Sequence, residues 1–235
     1  MTRDEIMQQL EDFGNDGTKR VYMNHGAKEP LFGVKVGDLK KVLKKTRTNH
    51  ELALQLYETG NSDAMYLAAL MADENKITKE KLQEWIRQAN WYMLSEHAVS
   101  ALAAESPYAL ELARDWMKSD EEMIKAAGWA VYAGFISLKD ESELDLQEVE
   151  KLLDHVGDNI HRAKNRVRYT MNGFVISVGG YVPTLSENAK EISKKIGKVS
   201  VNLGNTACKV PFAPDYIEKM VERGSFEKRQ KAVRC

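Results

Sequence analysis

Cysteine is almost absent from this 235-residue sequence. Cys208 and Cys235 are too few for a disulfide framework and lack the spacing of a zinc ligand set. Proline is scarce, with 5 residues, and the 15 glycines are spread along the length, so no flexible linker divides the chain. One continuous domain over residues 1–235 is expected. Long apolar runs are missing, as is a secretory leader pattern, which points to a cytoplasmic protein without membrane contact. Cys235 stands last, whereas a prenylation box needs its cysteine fourth from the end. There is no phosphate loop, dinucleotide fingerprint, nucleophile elbow or paired-histidine motif. The histidines, His25, His50, His97, His155 and His161, are scattered. Neither a cofactor nor a metal is expected.

An overall excess of charge is missing too, since the net charge is −1. That balance conceals a division. From His161 onward, 15 Lys and Arg face 6 Asp and Glu, while the first 160 residues hold 19 against 29. A neutral chain with one basic end points to an anionic partner met locally. Uneven solvated charge is the alternative.

What the sequence does have is helical periodicity, nearly everywhere before residue 197. "SDAMYLAALMADE" (62–74) and "KEKLQEWIRQA" (79–89) each gather apolar residues on one face. Three further stretches, 91–105, 106–119 and 120–137, follow with scarcely a gap. Asp63 and Ser106 read as helix caps, with Pro107 at a first helical position. Small or aliphatic patches, 67–69, 98–100, 126–128 and 172–174, recur about thirty to forty-five residues apart. Helix pairs at that period predict an all-α, HEAT-like α-solenoid, a curved right-handed stack in which small residues such as Gly173 allow close packing. A plain helical bundle is the rival. A solenoid offers a concave face to an extended partner.

Beyond Gly197 the pattern changes. Val199, Val201 and Leu203 alternate with polar residues, Gly204-Asn205 interrupts, and Thr206, Cys208 and Val210 resume the alternation. This predicts one short β-hairpin over about 198–211, with a two-residue turn. A helix over 214–224 and a basic tail over 225–235 follow.

Two stretches carry candidate chemistry. In "HRAKNRVRYTMNGFVISVGGY" (161–181), Arg162, Arg166 and Tyr169 fall near one helical face, with Lys164 and Arg168 on its flank. Cations beside an aromatic suit a phosphate backbone, which they grip without reading sequence. In "ANWYMLSEHAV" (89–99), Tyr92 and Glu96 lie one helical turn apart, next to Trp91. An aromatic ring beside a carboxylate can stabilise a developing cation. A solvated face and a core position, respectively, are the bland alternatives.

In these residues the chain resembles the DNA alkylation repair family of HEAT-like proteins, which includes bacterial alkylpurine DNA glycosylases. "RVYMNHGAKEPLFGVKVGDLKKVLKK" (20–45), "NWYMLSEHAV", "SDEEMIKAAGWAV" and "MNGFVIS" are similar, in order and spacing, to the family's successive blocks. The C-terminal "CKVPFAPDYIEKMVERGSFEKRQKAVRC" looks like a tail shared by one subgroup. The resemblance covers nearly the whole chain.

It implies a monomer that holds DNA in a basic concave groove. Implied phosphate contacts are Lys125, Arg162, Lys164, Arg166, Arg168, Lys195, Lys198 and Lys209. It also implies a sugar-contacting set of Glu96, Tyr92, Trp91 and Phe174, acting on cationic N3- or N7-alkylpurines. Tyr92 stands where the family has tryptophan, Glu96 where it has aspartate, Lys125 where it has arginine and Phe174 where it has tryptophan. These replacements weaken the rings, lose the arginine fork and shift the carboxylate. They argue against efficient base release and leave DNA binding intact. A hairpin-bearing subgroup of the family binds branched DNA. The hairpin's tip, with Asn202, Asn205 and Thr206, then either enters a DNA groove or caps the helical stack. DNA binding, base excision and a protein-interaction scaffold are the three readings that remain.

Overall fold

The computed structural model describes residues 1–234; Cys235, and with it the last residue of the basic tail, lies outside the described residues. The chain forms two compact units. The first comprises residues 1–107, 203–207 and Arg234, and the second residues 108–202 and 208–233.

The first unit is built from α1 (Arg3–Asp12), α2 (Asp16–Asn24), α3 (Val36–Thr46), α4 (His50–Tyr57), α5 (Ser62–Met71), α6 (Lys79–Gln88), a π-helical turn (Met93–Val99) and α7 (Ser100–Glu105). Its centre is α5, which is buried at every position, as a helix apolar all round must be. The start of α5 differs from the sequence expectation. Asn61, not Asp63, caps it, accepting from the N–H groups of Asp63 and Ala64 at 3.0 and 3.2 Å. The Asp63 carboxylate instead accepts the N–H groups of Phe32, Gly33 and Val34 at 2.6, 3.0 and 3.0 Å. That contact fixes the loop between α2 and α3. Burial raises the carboxyl's pKa, and the three N–H groups oppose the rise. Ser106 also differs: it ends α7, its hydroxyl donating to the Ala103 carbonyl.

The second unit contains α8 (Ala109–Met117), α9 (Glu122–Leu138), α10 (Leu146–Asn159), α11 (Asn165–Tyr181), α12 (Ser186–Ile196) and α13 (Ala213–Glu222). The two long helices, α9 and α11, pack on each other; α8 lies on α9, and α12 and α13 on α11. The small-residue reading holds at Gly128, where an added Cβ would sit 2.5 Å from the Met117 nitrogen. It fails at Gly173, which has nothing within 4 Å of its Cβ position. The close approach on α11 falls instead at Gly179 and Gly180, which receive Ile217 and Met220 of α13.

The expected β-hairpin over 198–211 is not present, and no strand occurs among the described residues. The backbone partners of this segment lie elsewhere. Asn165 binds both backbone groups of Asn202, and the Asn172 amide donates to the Pro211 carbonyl at 3.0 Å. Asn165 and Asn172 are seven residues apart and so share a face of α11. They hold the two feet of the segment and leave no strand-to-strand ladder. Within the first unit, Gly204 has φ of 77° and lies against the Asn24 backbone, where a Cβ would meet the carbonyl oxygen at 2.2 Å. Alternation without an available partner edge does not make a strand.

The tail is also engaged. In the second unit, Arg229 donates to the Tyr181 carbonyl at 2.5 Å and the Gln230 backbone N–H donates to the Ser137 carbonyl at 3.1 Å. In the first, Arg234 pairs with Glu74 and Glu105 at 2.5 and 2.6 Å. Two of the tail's cations are therefore neutralised or anchored within the fold.

Candidate nucleic-acid interface

Three of the eight cations expected at the interface come together on the second unit, near the ends of three helices. Lys125 projects from the first turns of α9, while Arg162 and Lys164 lie between α10 and α11. With Asp120, they line a cleft of about 300 Å³. Its wall continues through His155 and Asn159 of α10, and its apolar part is Met117, Trp129, Val167 and Met171. Trp129 and His155 are stacked, with ring centroids 6.0 Å apart and planes at 12°.

The hydrogen bonds of Arg162 and Lys164 go to carbonyl and amide oxygens rather than to carboxylates. Lys164 donates to the main-chain carbonyl of Asp120 at 2.5 Å. The Arg162 guanidinium donates to the Asp158 carbonyl and the Asn159 amide oxygen, both at 3.1 Å. Lys125 makes no ion pair among the described residues. Carbonyl partners orient a cation without neutralising it; Asp120 lines the cleft beside the three cations, and the Asp158 carboxylate, paired with Lys195, also feels the Arg162 charge. The N-terminus of α11 beside them is already occupied: Glu122 accepts the Arg166 N–H at 2.6 Å.

The other expected contacts are dispersed. Arg166 lies over the Tyr169 ring at 4.5 Å. Arg168 reaches the Asn165 amide oxygen at 3.5 Å, and its Nε is buried without a hydrogen-bond partner. Lys195 is paired with Asp158 at 2.8 Å, which holds that carboxyl below the usual range. Lys198, Lys209 and Asn205 are exposed, as is Asn202, whose backbone Asn165 binds.

The sugar-contacting set is placed differently from expectation. Phe174 is fully buried, edge-on to Trp129 at 5.2 Å and Tyr132 at 5.6 Å. Its ring is a core residue of the second unit and has no face to offer a sugar. Trp91 and Glu96 are each 5 % exposed. Residues 93–99 are π-helical, so the one-turn spacing assumed for Tyr92 and Glu96 does not apply. The Tyr92 hydroxyl is 3.2 Å from His25 Nδ1, and Trp91 lies 5.3 Å from Tyr22. Tyr22 donates to the Val34 carbonyl at 2.9 Å; burial, with Asp63 next, pushes its pKa up to about 12. These rings make an aromatic cluster inside the first unit.

Trp129, His155, Asn159, Met117 and Met171 escaped the sequence reading. Nothing in their local pattern separates them from ordinary core and surface residues.

The profile of a family described as DNA alkylation repair enzyme matches residues 6–196. An uncharacterized protein of Listeria monocytogenes is 39 % identical over 229 residues, which covers 95 % of this chain and 99 % of that one. One from Listeria innocua is 37 % identical over the same shares. A solved structure is 36 % identical, with a TM-score of 0.90 and full coverage of both chains. It is described as a new family of proteins related to the HEAT-like repeat DNA glycosylases with affinity for branched DNA structures.

Proposed function

We propose that this chain, which belongs to the DNA alkylation repair family, binds DNA by its phosphate backbone through the cationic surface of its second unit. The observation that carries the reading is the meeting of Lys125, Arg162 and Lys164 at one cleft, none of them bound to a carboxylate. Such cations release counterions on binding and fix position without reading sequence. Lys198 and Lys209, exposed on the segment held by Asn165 and Asn172, extend the same charge. The affinity of the structural relative for branched DNA supports branched or otherwise distorted DNA as the preferred form. Base release has no part in this reading, because Phe174 is buried in the core.

Salt titration tests it. Log affinity for duplex DNA falls linearly with log salt, and each phosphate contact removed lowers the slope by about 0.9. Lys125→Ala with Lys164→Ala weakens binding to every sequence alike and flattens the slope by roughly two contacts. Unchanged affinity in that double variant would sink the cleft assignment, and salt-independent association would favour a protein-interaction scaffold. Linear and four-way DNA compared at one salt concentration test the preference for branching.

A further inference from the structure

The same cleft narrows the ligand further, an inference that rests on the DNA-binding reading. A cavity of about 300 Å³ lies at the small end of ligand sites and cannot admit a duplex. It joins two chemistries. Lys125, Arg162 and Lys164 line it together with Asp120, and its apolar side is the part of Met117, Trp129 and Met171 left uncovered, Trp129 and Met171 being 3 % exposed each. A passing phosphodiester would use little of this. It carries one charge, and both its ester substituents must run out along the strand.

A phosphomonoester fits better. It carries a charge of about −1.5 to −2 at neutral pH and three acceptor oxygens. With one substituent only, it can enter end-on and bring its sugar and base against the apolar side. We propose that the cleft takes the terminal phosphate of a DNA strand, with its nucleoside, as found at a nick or at a strand end near a branch. The shared chemistry is the terminal phosphomonoester, and 5′ and 3′ ends are its two sources.

The test uses the full chain and one nicked duplex in three forms: 5′-phosphate, 3′-phosphate, or hydroxyl on both sides. At fixed salt, one phosphorylated form is bound about tenfold more tightly than the hydroxyl form, the effect of a charge-assisted contact. Which form is preferred identifies the end. The preference disappears in Arg162→Gln and in Lys164→Gln, both exposed positions. Equal affinity for all three nicks overturns the proposal while leaving backbone binding intact, and so does a preference that survives both variants.

Calorimetric titration with the 5′- and 3′-monophosphates of deoxyadenosine and with deoxyadenosine examines the cleft without DNA. Binding of a monophosphate alone, lost in Lys125→Ala, sustains the proposal even should duplex binding fail. No heat at millimolar concentration from either the 5′-monophosphate or the 3′-monophosphate of deoxyadenosine overturns it.

Discussion

Asn165 and Asn202 are joined by a reciprocal pair of hydrogen bonds. The Asn165 side chain donates to the Asn202 carbonyl at 2.8 Å and accepts its N–H at 2.6 Å. A side-chain amide thus takes the place that a neighbouring strand would have filled, and the alternating segment stays a loop. Asn165→Ala removes both bonds at once. Because water reaches the site, the stability loss should be at most about 1 kcal/mol. Amide hydrogen exchange at Asn202 should quicken by tenfold or more, and unchanged exchange would show that the loop is held by other means.

Gly128 and Gly173 make opposite predictions from one kind of substitution. Gly128→Ala places a methyl group 2.5 Å from the Met117 nitrogen and 2.9 Å from the Trp116 carbonyl carbon. Backbone cannot move aside as a side chain can, so the change should cost about 3 kcal/mol by overpacking. Gly173→Ala meets open space inside a helix and should stabilise by about 0.5–1 kcal/mol. Chemical denaturation of both variants checks the pair.

Arg114 grips Glu148 with two hydrogen bonds, each of 2.7 Å, and Tyr132 donates to the same carboxylate at 2.9 Å. The guanidinium bond comes first among the causes that hold the Glu148 carboxyl below its usual range. A carboxyl that ionises more readily when folded stabilises the fold at pH values above its unfolded pKa. That contribution is lost as pH falls through the folded value. Between about pH 5 and pH 3 the wild type should therefore lose stability that Glu148→Gln no longer has to lose. At pH 7 the variant should be about 1 kcal/mol less stable, since the pair is partly exposed. Urea midpoints measured across this range should converge at the acid end.

Arg234 closes the first unit from the far end of the chain. Its guanidinium reaches Glu105 and Glu74 and the Ala69 and Ala72 carbonyls, at 2.5 to 3.2 Å. Its side chain is 12 % exposed and that of Glu105 10 %. Arg234→Ala removes the guanidinium from a nearly buried carboxylate and leaves it the residue-234 backbone N–H, which should cost about 2 kcal/mol. Arg234→Lys should recover only part, because a single ammonium cannot serve four acceptors from one plane. A melting temperature unmoved by Arg234→Ala would refute the clamp.

Helix positions, many of their ends and the types of residue near the basic end are properties of neighbours along the chain, and so the sequence alone determined them. The 3.6-residue periodicity marks α5, α6, α8 and α9, and Gly197 stops α12 with φ of 65°. The helical-face pattern also marked Arg162 and Lys164, and the family resemblance marked Lys125, three residues that meet at the cleft. Only the tertiary structure decided which groups those residues face. Phe174, read as a sugar contact, is sealed between the rings of Trp129 and Tyr132, which come from another helix. Asp63 had the sequence of a cap and became the anchor of residues 32–34, thirty positions away. Residues 198–211 had the alternation of strands and found asparagine side chains in place of a partner edge. Periodicity is set by backbone geometry over a few residues, whereas burial and pairing depend on groups brought together by folding from distant parts of the chain.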